Sequence, residues 1–478
     1  MIAYKLQETQ EEKNKQPRYS RKQRREMLRP KTLMRELLSI IHEYFPGLIN
    51  QLKNVEDKRN KSYVKYEIEI LLLERILGAI FSVDSMRAQT FDFNDETAIN
   101  NIVEILKIDP LGELPHHDTI NNCFEQLNPS ELEIIIQNMI KALTRRNTFN
   151  DSRVRGKYWQ VLIDGTTICS FNERHCDRCL FRRYKNKKGE VTRIEYYHSV
   201  LEAKLVLHEN LVFSICTVFI ENEDGIPEEG ELWSMDYDEP SHEKMKQDCE
   251  LKAFYRLSDK LKTMFPRLSI CITADGLYPC KQVFEISRDN NWHYILRFKE
   301  GCIRTLYESY NLARMRNPPD QSFSIIKDGK VLDYFYENGF VYDEFIINVA
   351  ECKDSSVEYS FVFITDLKID RDNCENTIIY GRRRWRIENE GFKVQKQHGY
   401  YLKHMFSKDY NAMKIHYFLI QIAHAIGQLL DHGSDVMKIL KLAKKHFHKK
   451  LLESFKAYIL TVDDLIYAES PRKTRLIK

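Results

Sequence analysis

Apolar residues return every third or fourth position through most of residues 33–147. The runs LMRELLSIIHEYF, EIEILLLERILGAIF and SELEIIIQNMIKAL each gather them on one helical face, with Pro and Gly between runs. In LPHHDTINNCFEQL, Asp118-Thr119 precedes an apolar run and is expected to cap a helix, with His116 and His117 at the surface beside it. At residue 158 the period changes. YWQVLIDGT, RIEYYHSVLEAKLVL and LVFSICTVFIEN are dense in β-formers and predict three consecutive antiparallel strands. The acidic stretch ENEDGIPEEGELWSMDYDEP reads as a solvated loop. A helix over roughly 243–264 then leads to the strand SICITADG, and a second helix leads to WHYILRFK.

Beyond residue 300 the alternation shortens. SFSIIK, KVLDYFYE and FVYDEFIINVA are punctuated by Asp328-Gly329 and Asn338-Gly339, both strong hairpin dipeptides, and YSFVFITDL adds one more strand. This predicts a β insertion over 300–366. Helical spacing then resumes to the end, through RRRWRIENEGF, IHYFLIQIAHAIGQLL and KLAKKHFHKKLLESFKAY.

Composition narrows the class. The 478 residues leave room for more than one domain, and 43% apolar content excludes a bulk-disordered chain. The net charge is only +3, but cations concentrate in 1–32 and 381–478 and leave an acidic middle. That distribution suits a polyanion gripped by the termini, although solvated charged helices explain charge alone equally well. MIAYKLQETQEEKNK has no apolar core of the kind an export signal needs. The apolar runs at 68–83 and 416–430 are broken by Glu74, Arg75, Gln421 and His424, so no membrane span is expected. Eleven cysteines without a regular framework suggest reduced thiols and a cytoplasmic protein.

The candidate chemistry lies in carboxylates. Asp164 is expected at the end of the first strand and Asp275 at the end of the fourth, each followed by Gly. Asp-Gly is a common turn dipeptide, so either one alone reads as a turn. Their order says more. Three antiparallel strands, a helix, a fourth strand and a later helix bearing a glutamate is the succession of an RNase H-like core. In that topology the first and fourth strands are neighbours and bring two carboxylates together. Such groups repel unless they are protonated or bridged by cations, and hard oxygen donors suit Mg2+. Two such ions serve phosphodiester chemistry. Glu388 and Glu390 are the candidates for a third carboxylate. On an α-helix they lie about 160° apart, and each has an arginine four residues earlier, so periodicity leaves the choice open.

VLIDGTT, KQDCELKA followed by TADGLYP, and RWRIENEGFKVQKQHGY together resemble the DDE transposases of bacterial insertion sequences. More narrowly, they resemble the branch with a β insertion between the second Asp and the Glu. The resemblance covers roughly 155–430 and implies an enzyme that nicks DNA at the element's ends and joins the freed 3′-hydroxyl to target DNA. It places the triad on Asp164, Asp275 and Glu388, holding two Mg2+ ions, with Mn2+ as a substitute. The branch carries a Tyr-Arg-Glu-Lys signature with two, three and six intervening residues. Here Arg384 precedes Glu388 at the expected spacing, while Tyr380 and Lys396 are each one residue too far, and Lys393 is a second candidate for the lysine. These residues are implied contacts to DNA phosphates, as suits cations beside such a site. Trp292 is an implied stacking platform for a flipped base, weighed against a plain core tryptophan.

The implied architecture is an α/β protein. It comprises a basic flexible arm (1–32), a helical DNA-binding domain (33–150), an RNase H-like core in two parts (151–299 and 367–432) around the β insertion (300–366), and a basic helical tail (433–478). The implied partners are double-stranded DNA, as terminal inverted repeats and as target, and a second copy of the chain in a homodimer, in the bacterial cytoplasm or nucleoid without a membrane. An RNase H-like nuclease without strand transfer and an inactive DNA-binding relic are the alternatives. Three intact carboxylates speak against the relic.

One motif stands apart. RHCDRC carries Cys176-x-x-Cys179, half of a tetrahedral zinc site, with no second pair at the usual spacing. Cys169, His175 and His198 could complete it only by folding back, so a reduced thiol pair in a loop is the expectation. The adjoining CLFRRYKNKKG reads as a basic loop with interleaved aromatics, suited to a DNA backbone.

Overall fold

The computed structural model describes residues 19–470 except 224, 226, 235–246, 317, 355–358 and 441. Ten strands form one mixed sheet. They are β1 Trp159–Phe171, β2 Leu180–Lys185, β3 Val191–His208, β4 Leu211–Ile220, β5 Ile270–Ala274, β6 His293–Arg297, β7 Ser322–Lys327, β8 Lys330–Tyr342, β9 Phe345–Asp354 and β10 Ser360–Thr365. Their spatial order is β2-β3-β1-β5-β6-β10-β9-β8-β7, with β4 also paired to β3. The segment β4-β3-β1-β5-β6 has β1, β5 and β6 parallel and β3 antiparallel to both β1 and β4, which is the order expected of an RNase H-like core. The inserted strands continue this same sheet, because β10 pairs antiparallel with β6.

Four local expectations change. First, β1 does not end at Asp164-Gly165. It runs on beside β3 as far as Phe171↔Tyr196, with an irregularity between Thr167 and Cys169. A partner strand as long as β3 keeps the backbone extended past a dipeptide that elsewhere favours a turn. Second, LFRRYK within the expected basic loop is a strand, β2, paired to β3. Leu180 and Phe181 are its buried residues, and the charged remainder hid the pattern. Third, only Asp328-Gly329 makes its hairpin, with both residues at positive φ. Asn338-Gly339 sits inside β8 as a bulge, where Gly339 adopts φ +88° and the Asn338 side chain donates to the Ile369 carbonyl at 2.7 Å. The β8–β9 turn lies at Asp343, which also has positive φ. Fourth, the acidic stretch contains a short helix, Glu229–Trp233, whose Leu232 is buried. Residues 235–246 of that stretch and the expected start of the following helix lie outside the described residues, and that helix is described as Glu250–Met264.

The helical regions at the two ends pack together. Helices Pro30–Tyr44, Ile68–Ile80, Glu96–Leu106 and Pro129–Thr144 bury their apolar stripes in a core continuous with the sheet. The helix Tyr410–Gly433, almost wholly buried, packs against both β4 and Ile68–Ile80. Helices Lys444–Ala457 and Val462–Glu469 dock onto the N-terminal region instead of trailing free. Asn101 donates to the carbonyls of Phe455 and Tyr458, and Arg35 pairs with Asp464 at 2.6 Å. Within the expected arm, Arg21–Met27 is a helix closed by a Ser20/Gln23 capping box, and residues 1–18 lie outside the described residues. The cap of helix His117–Phe124 is His116, whose Nδ1 accepts from the Asp118 backbone, ahead of the expected Asp118-Thr119. Among the described residues no helix is long and apolar enough to cross a membrane.

Candidate active site

The parallel pairing of β1 with β5 runs from Trp159↔Ile270 to Leu162↔Thr273. Continued by two residues, that register sets Asp164 level with Asp275, both just beyond the last pair that joins these two strands. Asp275 accepts from the Leu277 backbone at 2.8 Å, so its carboxylate is held by the turn after β5. Asp164 accepts from the Gly165 backbone at 3.1 Å and from Arg384 Nη1 at 3.1 Å.

The third carboxylate arrives from the last part of the core. The helix Arg371–Arg382 breaks at Arg383-Arg384, and residues Ile387–Phe392 then form a π-helical turn that passes into the helix Lys393–Gln397. Ile387 and Phe392 pack on Leu162, Val206 and Val212, which anchors this segment over β1 two residues before Asp164. Gly391 permits the approach, since a Cβ there would lie 3.1 Å from the Lys204 side chain. Glu388 is exposed and contributes to the field at Asp164, whereas Glu390 pairs with Arg386 at 3.6 Å and Lys444 at 3.8 Å. The two glutamates therefore do different things, a distinction that a uniform α-helical period could not make.

The π turn also explains a spacing. A π turn holds one residue more than an α turn, so it absorbs one extra residue between Glu388 and the lysine beyond it. Lys396, one residue past the signature spacing, accordingly sits in the field of Glu388 and Asp164 and donates to Thr166 Oγ1. Burial lowers its pKa, and the two carboxylates work in the opposite direction.

A fourth carboxylate, missed in the sequence, enters beside β1 at Gly165. Glu250 begins the helix Glu250–Met264, and its carboxylate occupies the space that a Cβ on Gly165 would need. Gly165 is thus glycine for close approach and not for a turn. The only signal of Glu250 in the sequence is its place in KQDCELKA, at a helix start after a long acidic run.

The electrostatics follow from this crowding. Burial raises the pKa of Asp164 to about 6, with Arg384 opposing and Asp275 and Glu388 adding to the rise. Burial raises Glu250 to about 7, reinforced by Asp164 and Asp275. The Tyr278 hydroxyl is buried beside this group without a hydrogen-bond partner among the described residues, and burial and the same carboxylates hold its pKa well above the usual phenol range. Four carboxylates thus share the Arg384 guanidinium and the Lys396 ammonium, a deficit of positive charge that divalent cations fit.

The other expected site residues are placed differently. Tyr380 lies at the margin of a separate core cluster; its ring packs under Arg383 and its carbonyl accepts from Gln160. Lys393 is exposed and adds to the positive field at His398. Trp292 is only 3% exposed and so has no face open to a base; it is a core tryptophan. Trp385, between Arg384 and Arg386 in the chain, is 45% exposed and edge-on to Phe361.

Fold and site together define an RNase H-like α/β protein with a cluster of carboxylates just beyond the last pair that joins its central parallel strands. Among solved structures, the chain is similar to the piggyBac transposase in a synaptic complex with hairpin DNA, at 12% identity and a TM-score of 0.41, covering 88% of this chain and 80% of that one. No protein-family model and no curated protein matches the sequence.

Proposed function

We propose that this chain is a DDE-type DNA transposase of the insertion-sequence kind. It would nick DNA at the element's ends and join the 3′-hydroxyl to target DNA. This reading is supported by the register of β1 and β5, in which Asp164 and Asp275 are level, together with the contribution of Glu388, on the 387–392 turn, to the field at Asp164. Asp164, Asp275 and Glu388 are the residues that would hold two Mg2+ ions, or Mn2+ in their place; the all-oxygen donor set suits these metals. The chemistry supplied by ions bound there would be activation of the attacking oxygen and stabilisation of the leaving one.

The chain's own groups have separate tasks. The carboxylates fix the site against the rigid centre of the sheet. Arg384 and Lys396 stand where they can hold phosphate oxygens of the strand to be cut, and Arg384 can do so bidentately. Glu250, packed against Gly165, would add a carboxylate beside Asp164. Trp385 offers an open ring for stacking on an unpaired base. The partners in this reading are double-stranded DNA and a second copy of the chain acting on the paired ends.

The test is incubation with Mg2+ and DNA bearing the element's terminal repeats, together with a target plasmid. Nicked ends joined to the plasmid are the expected products. Nicks without joining would make the chain a nuclease, and neither product would make it a DNA-binding relic.

A further inference from the structure

We propose that Cys176, Cys179 and His198 form a zinc site that clips the β1–β2 connection to β3, remote in chemistry from the carboxylates. The connection folds back so that the CxxC turn, in which the Cys179 backbone donates to the Cys176 carbonyl, lies over β3. Leu180 pairs with Tyr197, which brings Cys179 beside His198.

The geometry is that of a coordination shell. Both sulfurs lie 3.5 Å from His198 Nε2 and 3.6 Å from each other. With Zn–S near 2.3 Å and Zn–N near 2.0–2.1 Å, tetrahedral edges come to about 3.8 Å for S···S and about 3.6 Å for S···N. Three side chains from two separate parts of the chain thus already stand at the mutual spacing of three corners around one zinc ion.

His198 argues the same way. It is completely buried, stacked on Tyr410 at 4.2 Å and edge-on to Phe171. Among the described residues its Nδ1 has no hydrogen-bond partner, and the contacts of its Nε2 are the two sulfurs. Thiols are weak partners for a buried imidazole, whereas a metal ion satisfies one ring nitrogen fully. Cys169 and His175 are engaged elsewhere: Cys169 Sγ lies 3.4 Å from Met413 Sδ, and His175 Nε2 lies 2.8 Å from the Lys408 carbonyl. Cys176 is partly exposed, so the fourth position falls to solvent.

The consequence is mechanical. The ion would fix the root of the basic ribbon β2–β3 and, through Tyr410 on His198, the start of the helix Tyr410–Gly433. The proposal does not depend on the transposase reading.

The test is metal content and cobalt substitution of the full chain purified under reducing conditions with zinc supplied. One zinc per chain is expected, with no loss in Asp164→Asn/Asp275→Asn. Replacing zinc by Co2+ in the unmutated chain is expected to give thiolate-to-cobalt charge-transfer absorption, a readout that needs no variant to fold. Cys176→Ser/Cys179→Ser is expected to lose both zinc and that absorption, and Cys249→Ser neither. A folded wild-type chain without zinc, a cobalt complex without thiolate absorption, zinc retained by the double cysteine variant, or a Cys176–Cys179 disulfide that excludes metal would each overturn the proposal.

Discussion

Asp164 and Glu202 face each other across β1 and β3, yet they are treated in opposite ways. Glu202 is fully buried and fully provided for. It accepts from Ser214 Oγ, Thr217 Oγ1 and the Tyr417 hydroxyl, and Lys204 Nζ stands 3.3 Å away. Lys204 in turn donates to Gln421, which joins Gln395 and His424 in one buried network beneath the glutamate-bearing segment. Asp164 has one guanidinium and one backbone amide, like charges press on it from Asp275 and Glu388, and it in turn presses on Glu250. A buried charge that is saturated with partners holds the fold; one left short of cations is held ready for something that binds. Two residues on adjacent strands thus separate a saturated charge from an unsaturated one.

The largest effect should come from removing charge on the unsaturated side. Asp164→Asn and Asp275→Asn are expected to reduce Mg2+-dependent DNA cleavage by more than about 100-fold while leaving the folded fraction unchanged, as checked by activity and circular dichroism on the same samples. Breaking the saturated side should do the reverse. Glu202→Gln leaves Lys204 buried without its counter-charge and is expected to cost about 3–5 kcal/mol in urea unfolding. The double variant Glu202→Leu/Lys204→Met should recover most of that loss. If both Asp164→Asn and Glu202→Gln altered stability alike, the contrast between them would collapse.

A smaller effect is expected at the point where β1 meets the helix beside it. Gly165→Ala pushes a methyl group into the Glu250 carboxylate and should cost about 1–3 kcal/mol. Adding Glu250→Ala should restore stability without restoring full cleavage. The smallest effect concerns protons. In the metal-free chain Asp164 and Glu250 titrate above their unfolded values of 3.8 and 4.5, at about 6 and about 7. The folded state therefore holds more protons in that interval, and stability falls as pH rises from about 4 to about 7. Thermal unfolding with chelator should show this decline, and saturating Mg2+ should remove it at neutral pH.

Much of this was legible in the chain. The density of β-branched residues in VLIDGTT, KLVL and SICITADG reveals the central strands, and their order with the intervening helix gives the sheet. The sequence also presents Asp164 and Asp275 as strand-associated carboxylates. It could not show that Asp164 lies inside a longer strand, because pairing with β3 outweighs the local preference of Asp-Gly. Arg182, Arg183 and Lys185 concealed β2, whose burial is confined to Leu180 and Phe181. Glu250 carries no periodic mark, since what places it is the absence of a side chain on Gly165, far away in sequence. The π turn at 387–392 was invisible for a similar reason: it is set by packing of Ile387 and Phe392 on side chains of β1, β3 and β4. Helical geometry sets Glu388 and Glu390 on different faces without saying which one meets the aspartates, and the packing of that turn decides it.

The sharpest measurement is Mg2+-dependent nicking of terminal-repeat DNA by Glu388→Gln and Glu390→Gln side by side. Glu390→Gln disturbs the pairs with Arg386 and Lys444 and is expected to nick like the unmutated chain, while Glu388→Gln is expected not to nick. Equal activity in the two variants, or loss in Glu390→Gln alone, would refute the assignment of Glu388 as the third carboxylate.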